Sequence, residues 1–270
     1  MFKKYWKFFV IFWSVVLVGI IGVFVFFWLI SAGKLGFMPT FEELENPNNR
    51  FASEVYFADG PIMNRYFEKE NRKYIEYREI PQSVIDALIA TEDVRFYDHS
   101  GVDVRGLFRV AKGLLTANTS AGGGSTISQQ LAKMLFPRES DLNVFELAIR
   151  KFREWVIAVR LEKSYTKEEI LTMYLNKYDF LNLAVGISSA ADIYFQVPLD
   201  SLKVEQAAML IGMAKNSSYY NPVRRPELTL NRRNVVLSQM YKYDKITREE
   251  CDSLKKLPLG LNFKRVDHKE

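Results

Sequence analysis

The chain opens on an unbroken apolar run, "FFVIFWSVVLVGIIGVFVFFWLI", Phe8–Ile30, which has no charge and only Ser14 as a strongly polar residue. As a helix rising about 1.5 Å per residue it spans roughly 35 Å, enough for a hydrocarbon core of about 30 Å with some tilt. A cleavable signal peptide has a core of about 7–15 residues, so this run reads as a retained anchor. Lys3, Lys4 and Lys7 precede it, whereas Lys34 is followed by Glu42, Glu43 and Glu45. The positive-inside rule then keeps the N-terminus in the cytoplasm and places the remaining chain outside.

Beyond the anchor the pattern changes twice. Thr40 and Glu43 have capping-box spacing at the start of "TFEELENPNN", and "FASEVYFADGPIMNRYF" sets two β-prone runs around Asp59-Gly60, a hairpin signal. From Pro81 the apolar positions fall at helical spacing, predicting helices over 82–92, 103–117, 126–136, 143–163, 167–177, 184–195, 203–214 and 227–241. The fold class expected is mainly α with a short β-hairpin. The expected divisions are a cytoplasmic tail (1–7), a transmembrane helix (8–30), a linker with the hairpin (31–78), a main domain (79–245) and a C-terminal linker (246–270).

Composition narrows the chemistry. In 270 residues there is one cysteine, Cys251, so an internal disulfide is excluded and a thiolate metal cluster disfavoured. His99 and His268 are the only histidines, which leaves little for a His-rich metal site. A net charge of +5 suits anionic headgroups or phosphorylated ligands. No alternating aromatic and basic run offers a base-stacking platform, so nucleic acid is not an expected partner.

Three stretches carry candidate chemistry. "AGGGSTISQQLAK", 121–133, frees the backbone with glycines and then starts a helix near Ser125–Thr126, with Thr126 and Gln129 at capping-box spacing. Its N–H groups and helix dipole form an anion site, and Lys133 adds a full charge; simple capping by a glycine loop is the alternative. It lacks the Gly-Lys-Ser/Thr ending of a nucleotide P-loop. "ALIATEDVRFYDHSGVD", 87–103, delivers Glu92 and Asp93 to the end of an apolar helix, where desolvation suits acid/base work; a solvated helix cap is the alternative. "RKFREWVIAVRLEKSYTKEEI", 150–170, clusters Arg150, Lys151 and Arg153 around Glu154, either as a pyrophosphate holder or as a salt-bridged surface face.

In this order and behind an anchor, the stretches resemble the peptidoglycan glycosyltransferases, glycosyltransferase family 51, which include the N-terminal halves of class A penicillin-binding proteins. The resemblance runs from about Ala52 to the C-terminus. The first motif, Glu-Asp-x-x-Phe-x-x-His-x-Gly, is matched by Glu92, Asp93, Phe96, His99 and Gly101. The second, Gly-Gly-Ser-Thr-Ile-x-Gln-Gln-x-x-Lys, is matched by Gly123 through Lys133, and the third, Arg-Lys-x-x-Glu, by Arg150, Lys151 and Glu154. "EEILTMYLN", 168–176, resembles the fourth, and "YYNPVRRPELTLNRRNVVLSQM" the fifth region.

That resemblance implies a lysozyme-like, mainly α fold with a small jaw lobe dipping into the bilayer, and an enzyme on the outer face of the bacterial cytoplasmic membrane. The implied reaction passes a lipid-linked glycan strand to the 4-hydroxyl of the N-acetylglucosamine of lipid II, inverts the donor carbon and releases undecaprenyl pyrophosphate. Glu92 is the implied general base, and Glu154 the second essential glutamate. Substrate and pyrophosphate binding fall to Ser125, Thr126, Gln129, Gln130, Lys133, Arg138, Arg150, Lys151 and Arg153, with Asp93, Phe96, His99 and Gly101 in support. Mg²⁺ or Mn²⁺ near Glu154 suits the hard pyrophosphate oxygens, although the sequence holds no dedicated metal cage. The jaw falls on 106–123, with Phe108, Val110, Leu114 and Leu115 toward lipid and Arg105, Arg109 and Lys112 toward headgroups. Other cell-wall synthesis proteins are candidate partners.

The chain departs from the family pattern in places. "MLFPRESDLNVFELAI" is longer than in some relatives, with Arg138 as a stand-in for an expected arginine, and "KYDFLNLAVGI" replaces a glycine-rich stretch, so that loop is expected to differ. "LPLGLNFKRVDHKE" looks like the start of a linker toward a transpeptidase, whose motifs are not found here: Ser31–Lys34 and Ser253–Lys256 match Ser-x-x-Lys by chance. Two competing functions are a wall hydrolase or lytic transglycosylase of similar fold, and an inactive anchored scaffold. A hydrolase has no use for a cationic pyrophosphate pocket, and a scaffold requires neither Glu92 nor Glu154.

Overall fold

The computed structural model describes residues 2–40, 43, 53–56, 62–66, 73–116, 123–135 and 143–264. The apolar run lies within α1, Phe2–Ser31, of which Tyr5–Ser31 is long and apolar enough to cross a membrane. Its side chains are exposed along most of its length, and Ile30 near its C-terminal end is buried. The Thr40 capping box forms: Thr40 N–H donates to Glu43 Oε2 at 2.9 Å and Glu43 N–H to Thr40 Oγ1 at 3.2 Å. The hairpin pairs β1, Ser53–Tyr56, antiparallel to β2, Ile62–Tyr66, with an irregularity between Val55 and Tyr56. Its Asp59-Gly60 turn lies outside the described residues.

The remaining named elements among the described residues are helical, as the spacing predicts for all but the last. They are α2 (Gln82–Glu92), α3 (Val104–Leu115), α4 (Ile127–Leu135), α5 (Val144–Ser164), α6 (Lys167–Lys177), α7 (Ile187–Phe195), α8 (Val204–Met213), α9 (Pro226–Lys242) and α10 (Arg248–Lys256). Capping boxes set three starts: Asn143 for α5, Thr166 for α6 and Thr247 for α10. α8 is the centre of the core, with Ala207 through Met213 buried against α2 and α9. α2 contributes Val84, Ile85, Ala87, Leu88, Ile89 and Ala90 to the same core, so its C-terminal end is held rigidly where Glu92 emerges.

Two segments differ from the sequence expectation. α7 begins at Ile187 rather than 184, because Leu181, Asn182 and Leu183 all adopt positive φ. Leu181 N–H donates to Asp179 Oδ1 at 2.7 Å and Asn182 Nδ2 to the Tyr194 hydroxyl at 2.9 Å, so side chains hold a bend that glycine would make without strain. Within 246–270, read as linker, α10 is a formed helix. The fully buried Arg233 of α9 donates to the carbonyls of Lys255, Leu257 and Pro258, satisfying acceptors that the helix end leaves open.

α1 is docked on the main domain rather than merely attached. Phe26 and Phe27 meet Phe152 of α5 edge-on at 5.3 and 5.7 Å between ring centroids. One α5 turn pair further on, Arg160 donates to the Pro39 carbonyl at 3.0 Å, the Ser31 carbonyl at 2.9 Å and Ser31 Oγ at 2.8 Å.

Gly101 sits at φ 93°, and a Cβ there would approach the Ala158 carbonyl carbon to 2.7 Å. Both backbone and space demand glycine, so Gly101→Ala is expected to cost roughly 1–3 kcal/mol or more, read as a lowered unfolding midpoint. Asp103 starts α3, accepting Gly106 N–H at 2.9 Å and pairing with Arg95. Burial works to raise its pKa, but those hydrogen bonds and the Arg95 charge win and hold it below the usual carboxylate value. The stabilisation is therefore complete above the unfolded carboxylate's pKa and lost as pH falls through the folded one. Amide exchange at the start of α3 is expected to accelerate across that acid window.

Candidate active site

A cleft of about 1140 Å³ gathers the ends of α2, α4, α8 and the inner faces of α3 and α9. Its wall combines Glu92, Asp93 and Asp103 with Arg109, Lys112, Lys133, Lys215, Arg232 and Lys242, so cations outnumber carboxylates two to one. Such a surface attracts a polyanion and still keeps acids available.

The first two sequence stretches interlock at its base. Asp93 is buried; its Oδ2 accepts the Ile127 N–H at the start of α4 at 3.0 Å and His99 Nε2 at 3.0 Å. Gly101 N–H donates to His99 Nδ1 at 3.2 Å, which assigns the ring proton to Nε2 and makes it the donor toward Asp93. Thr126 Oγ1 donates to the Gly101 carbonyl at 2.7 Å and Gln129 Nε2 to the same oxygen at 3.3 Å. Thr126 Oγ1 also accepts Gln129 N–H at 3.2 Å, so half of the expected capping box is present while the Gln129 side chain serves Gly101 instead. Phe96 is buried with Lys167 Nζ 4.3 Å above its ring, and Lys167 reaches the His99 carbonyl at 2.7 Å. Asp93, Phe96, His99 and Gly101 therefore support the site without lying open to a ligand, apart from the cleft-lining edge of Asp93.

Glu92 stands at the cleft wall between two donors. Gln130 Nε2 donates to its Oε2 at 3.0 Å, and Arg232 Nη2 donates to Oε1 at 3.2 Å. A carboxylate has about four lone-pair sites, so each oxygen keeps one to accept a proton from the cleft. Arg232 is itself held by the Gly212 carbonyl at 3.2 Å and lies 5.7 Å from the Tyr220 ring. It belongs to the "NRRNVVLSQM" stretch, where nothing in the spacing marks it: an arginine on a helix face looks the same whether it meets solvent or a partly buried carboxylate.

The third stretch divides. Lys151 Nζ donates to Ser125 Oγ and to Glu154 Oε2, both at 2.9 Å, linking this pair to the glycine loop from behind the cleft wall. Ser125, Thr126, Gln130 and Lys133 line the cleft, whereas Gln129 is buried beneath it. Arg153 does not join them. It is buried on the other side of α5, where its guanidinium occupies the space above Gly36 and donates to the Phe37 carbonyl at 3.5 Å. Arg153 lies about 200° around the helix from Lys151 at 100° per residue, which turns it toward the anchor. Arg150 is partly buried outside the cleft lining, and Arg138 lies outside the described residues.

Around Glu154 the donor set does not fit an ion held by protein alone. Its carboxylate is taken by Lys151, and among the described residues no three His, Cys, Asp or Glu side chains converge on one point. In the stretch read as a jaw, Phe108 is 73% exposed, but Arg109 and Lys112 line the cleft rather than pointing only outward. Val110 packs toward Gly124, and the side chains of Leu114 and Leu115 are outside the description.

With this geometry in view, the sequence comparisons with known proteins agree on one family. A family model described as Transglycosylase matches residues 59–241. The chain is 36% identical over 226 residues to penicillin-binding protein 1A of Escherichia coli, covering 84% of this chain and 26% of that protein. It is 35% identical over 226 residues to penicillin-binding protein 1A of Pseudomonas aeruginosa, covering 84% and 27%. For the Haemophilus influenzae protein of the same name the values are 36% over 235 residues, 87% and 26%. The chain thus spans about a quarter of the length of the curated relatives it matches. A crystal structure of the Haemophilus influenzae protein aligns over 80% of this chain and 22% of that one, at 22% identity and a TM-score of 0.45. Matched by the family model over more than half its length, the chain belongs to the transglycosylase family.

Proposed function

We propose that this chain polymerises peptidoglycan glycan strands at the outer face of the bacterial cytoplasmic membrane. The observation that carries the reading is Glu92: one carboxylate, held by two fixed donors, at the wall of a cleft otherwise rich in cations. Glu92 takes the proton from the 4-hydroxyl of the lipid II N-acetylglucosamine as that oxygen bonds to the donor anomeric carbon. The bond from this carbon to the pyrophosphate oxygen breaks on the opposite face, inverting the centre, and undecaprenyl pyrophosphate departs with the electron pair. Preorganised cations stabilise that developing charge where it forms. Lys133, Lys112 and Arg109, on α3 and α4, are the groups proposed to receive it.

Ser125, with Lys151 and Glu154 behind it, would set the position of the glycine loop. A divalent ion would enter with the pyrophosphate, its remaining ligands supplied by phosphate oxygens and water. The anchor and the exposed Phe108, Val144 and Phe145 would share the bilayer with the substrate's lipid tail. Enzyme and substrate then search in two dimensions.

The test is to incubate detergent-solubilised protein with labelled lipid II and Mn²⁺, comparing the parent with Glu92→Gln and Glu154→Gln. Polymer is expected from the parent alone; shortening of added strands would favour a hydrolase, and bound lipid II with no turnover in any variant a scaffold. Lys133→Ala is expected to weaken a moenomycin-like phosphoglycolipid about tenfold or more, by loss of a charge-assisted contact. Unchanged affinity removes Lys133 from the pyrophosphate pocket.

A further inference from the structure

The fourth sequence stretch, "EEILTMYLN", has no part in the reaction described so far, yet α6 carries one of its side chains into the site from below. Tyr174 is 1% exposed, and its hydroxyl donates to Gln130 Oε1 at 3.0 Å. The opposite end of the same amide is the donor to Glu92 Oε2. An amide turned over would set its carbonyl oxygen against the Glu92 carboxylate and its NH₂ against the Tyr174 hydroxyl.

We propose that Tyr174 is a positioning residue for the transfer reaction, acting through Gln130: its O–H fixes the amide so that Nε2 stays aimed at Glu92. This rests on the reading of Glu92 as the base. Burial first, and the nearby Glu92 charge second, push the Tyr174 phenol well above its ordinary pKa, so the hydroxyl keeps its proton and remains a donor throughout the working pH range. The neighbouring Tyr178 is no substitute. Its hydroxyl is spent on the Met213 and Ala214 carbonyls at 3.0 and 2.9 Å. Without the Tyr174 hydroxyl, Gln130 Oε1 loses its donor and the amide turns toward water in the cleft, leaving Glu92 held by Arg232 alone.

Tyr174→Phe keeps the ring and its packing and removes only the hydroxyl. The expected result is a drop of about tenfold in kcat, the worth of one hydrogen bond, with KM for lipid II within about twofold and an unfolding midpoint close to the parent's. A structural role alone could also lower activity, so the deciding measurement is a double-mutant cycle with Gln130→Ala. If the tyrosine acts through the amide, Tyr174→Phe lowers kcat no more than about twofold further in that background. A full additional tenfold loss, or parent activity in Tyr174→Phe alone, overturns the proposal. Glu92→Gln assayed alongside keeps two failures apart: polymer from that variant removes the base and the relay together. An inactive Glu92→Gln with additive losses removes only the relay.

Discussion

Asp93 gathers two donors on one carboxylate: Oδ2 accepts both, and Oδ1 lies 3.1 Å from the same His99 ring nitrogen. The Ile127 N–H opens α4 on one side, and His99 Nε2–H approaches on the other, with its tautomer fixed by the Gly101 N–H on Nδ1. An asparagine would put its NH₂ either where Oδ1 stands, 3.1 Å from the same His99 ring nitrogen, or where Oδ2 accepts the Ile127 N–H, so a donor would face a donor in both orientations. This buried carboxylate sets the register between the end of α2 and the start of α4. Glu92 leaves one of these helices, and the glycine loop, Gln130 and Lys133 belong to the other. Their separation across the cleft is therefore a consequence of one ionic hydrogen-bond centre, and Gly101 extends it by accepting Thr126 and Gln129.

The same rigidity reaches α1, the helix long and apolar enough to cross a membrane, through α5. One helix carries Lys151 and Glu154 toward Ser125, and presents Phe152, Arg153 and Arg160 to the anchor and the segment after it. Arg160 reads two backbone carbonyls and a hydroxyl, so the cleft has a defined height above the end of α1 rather than a tether's freedom. For a substrate that keeps its lipid tail in the bilayer, height is geometry. On the proposed reading it decides which atom of the headgroup meets Glu92.

Much of this was legible in the sequence because local physics wrote it there. The anchor follows from the length of its apolar run, and α5 and α6 start where Asn143 and Thr166 can cap them. Glu92 and Lys133 are found in the cleft because they sit beside rigid helix ends. What stayed hidden depends on contacts distant in the chain. Arg153 shares an arc with Lys151 in projection, yet the two mark its opposite edges, and only the anchor's position shows which edge faces which partner. Arg232 and Tyr174 reach Glu92 and Gln130 from helices 140 and 44 residues away, a distance that no periodicity spans. The bend at Leu181–Leu183 was hidden for another reason: side-chain hydrogen bonds replace the glycines that announce positive φ. α10 carried a readable capping box at Thr247 and Glu250, but its polar composition resembles a linker until Arg233 is seen to hold its end.

The central claim is that Asp93 positions the two halves of the site, and single-turnover strand transfer by Asp93→Asn at saturating lipid II tests it most directly. With the fold intact by circular dichroism and lipid II still bound, the rate is predicted to fall about a hundredfold, the cost of roughly an ångström of misplacement at the reacting centre. Transfer at the parent's rate in that variant would contradict the account.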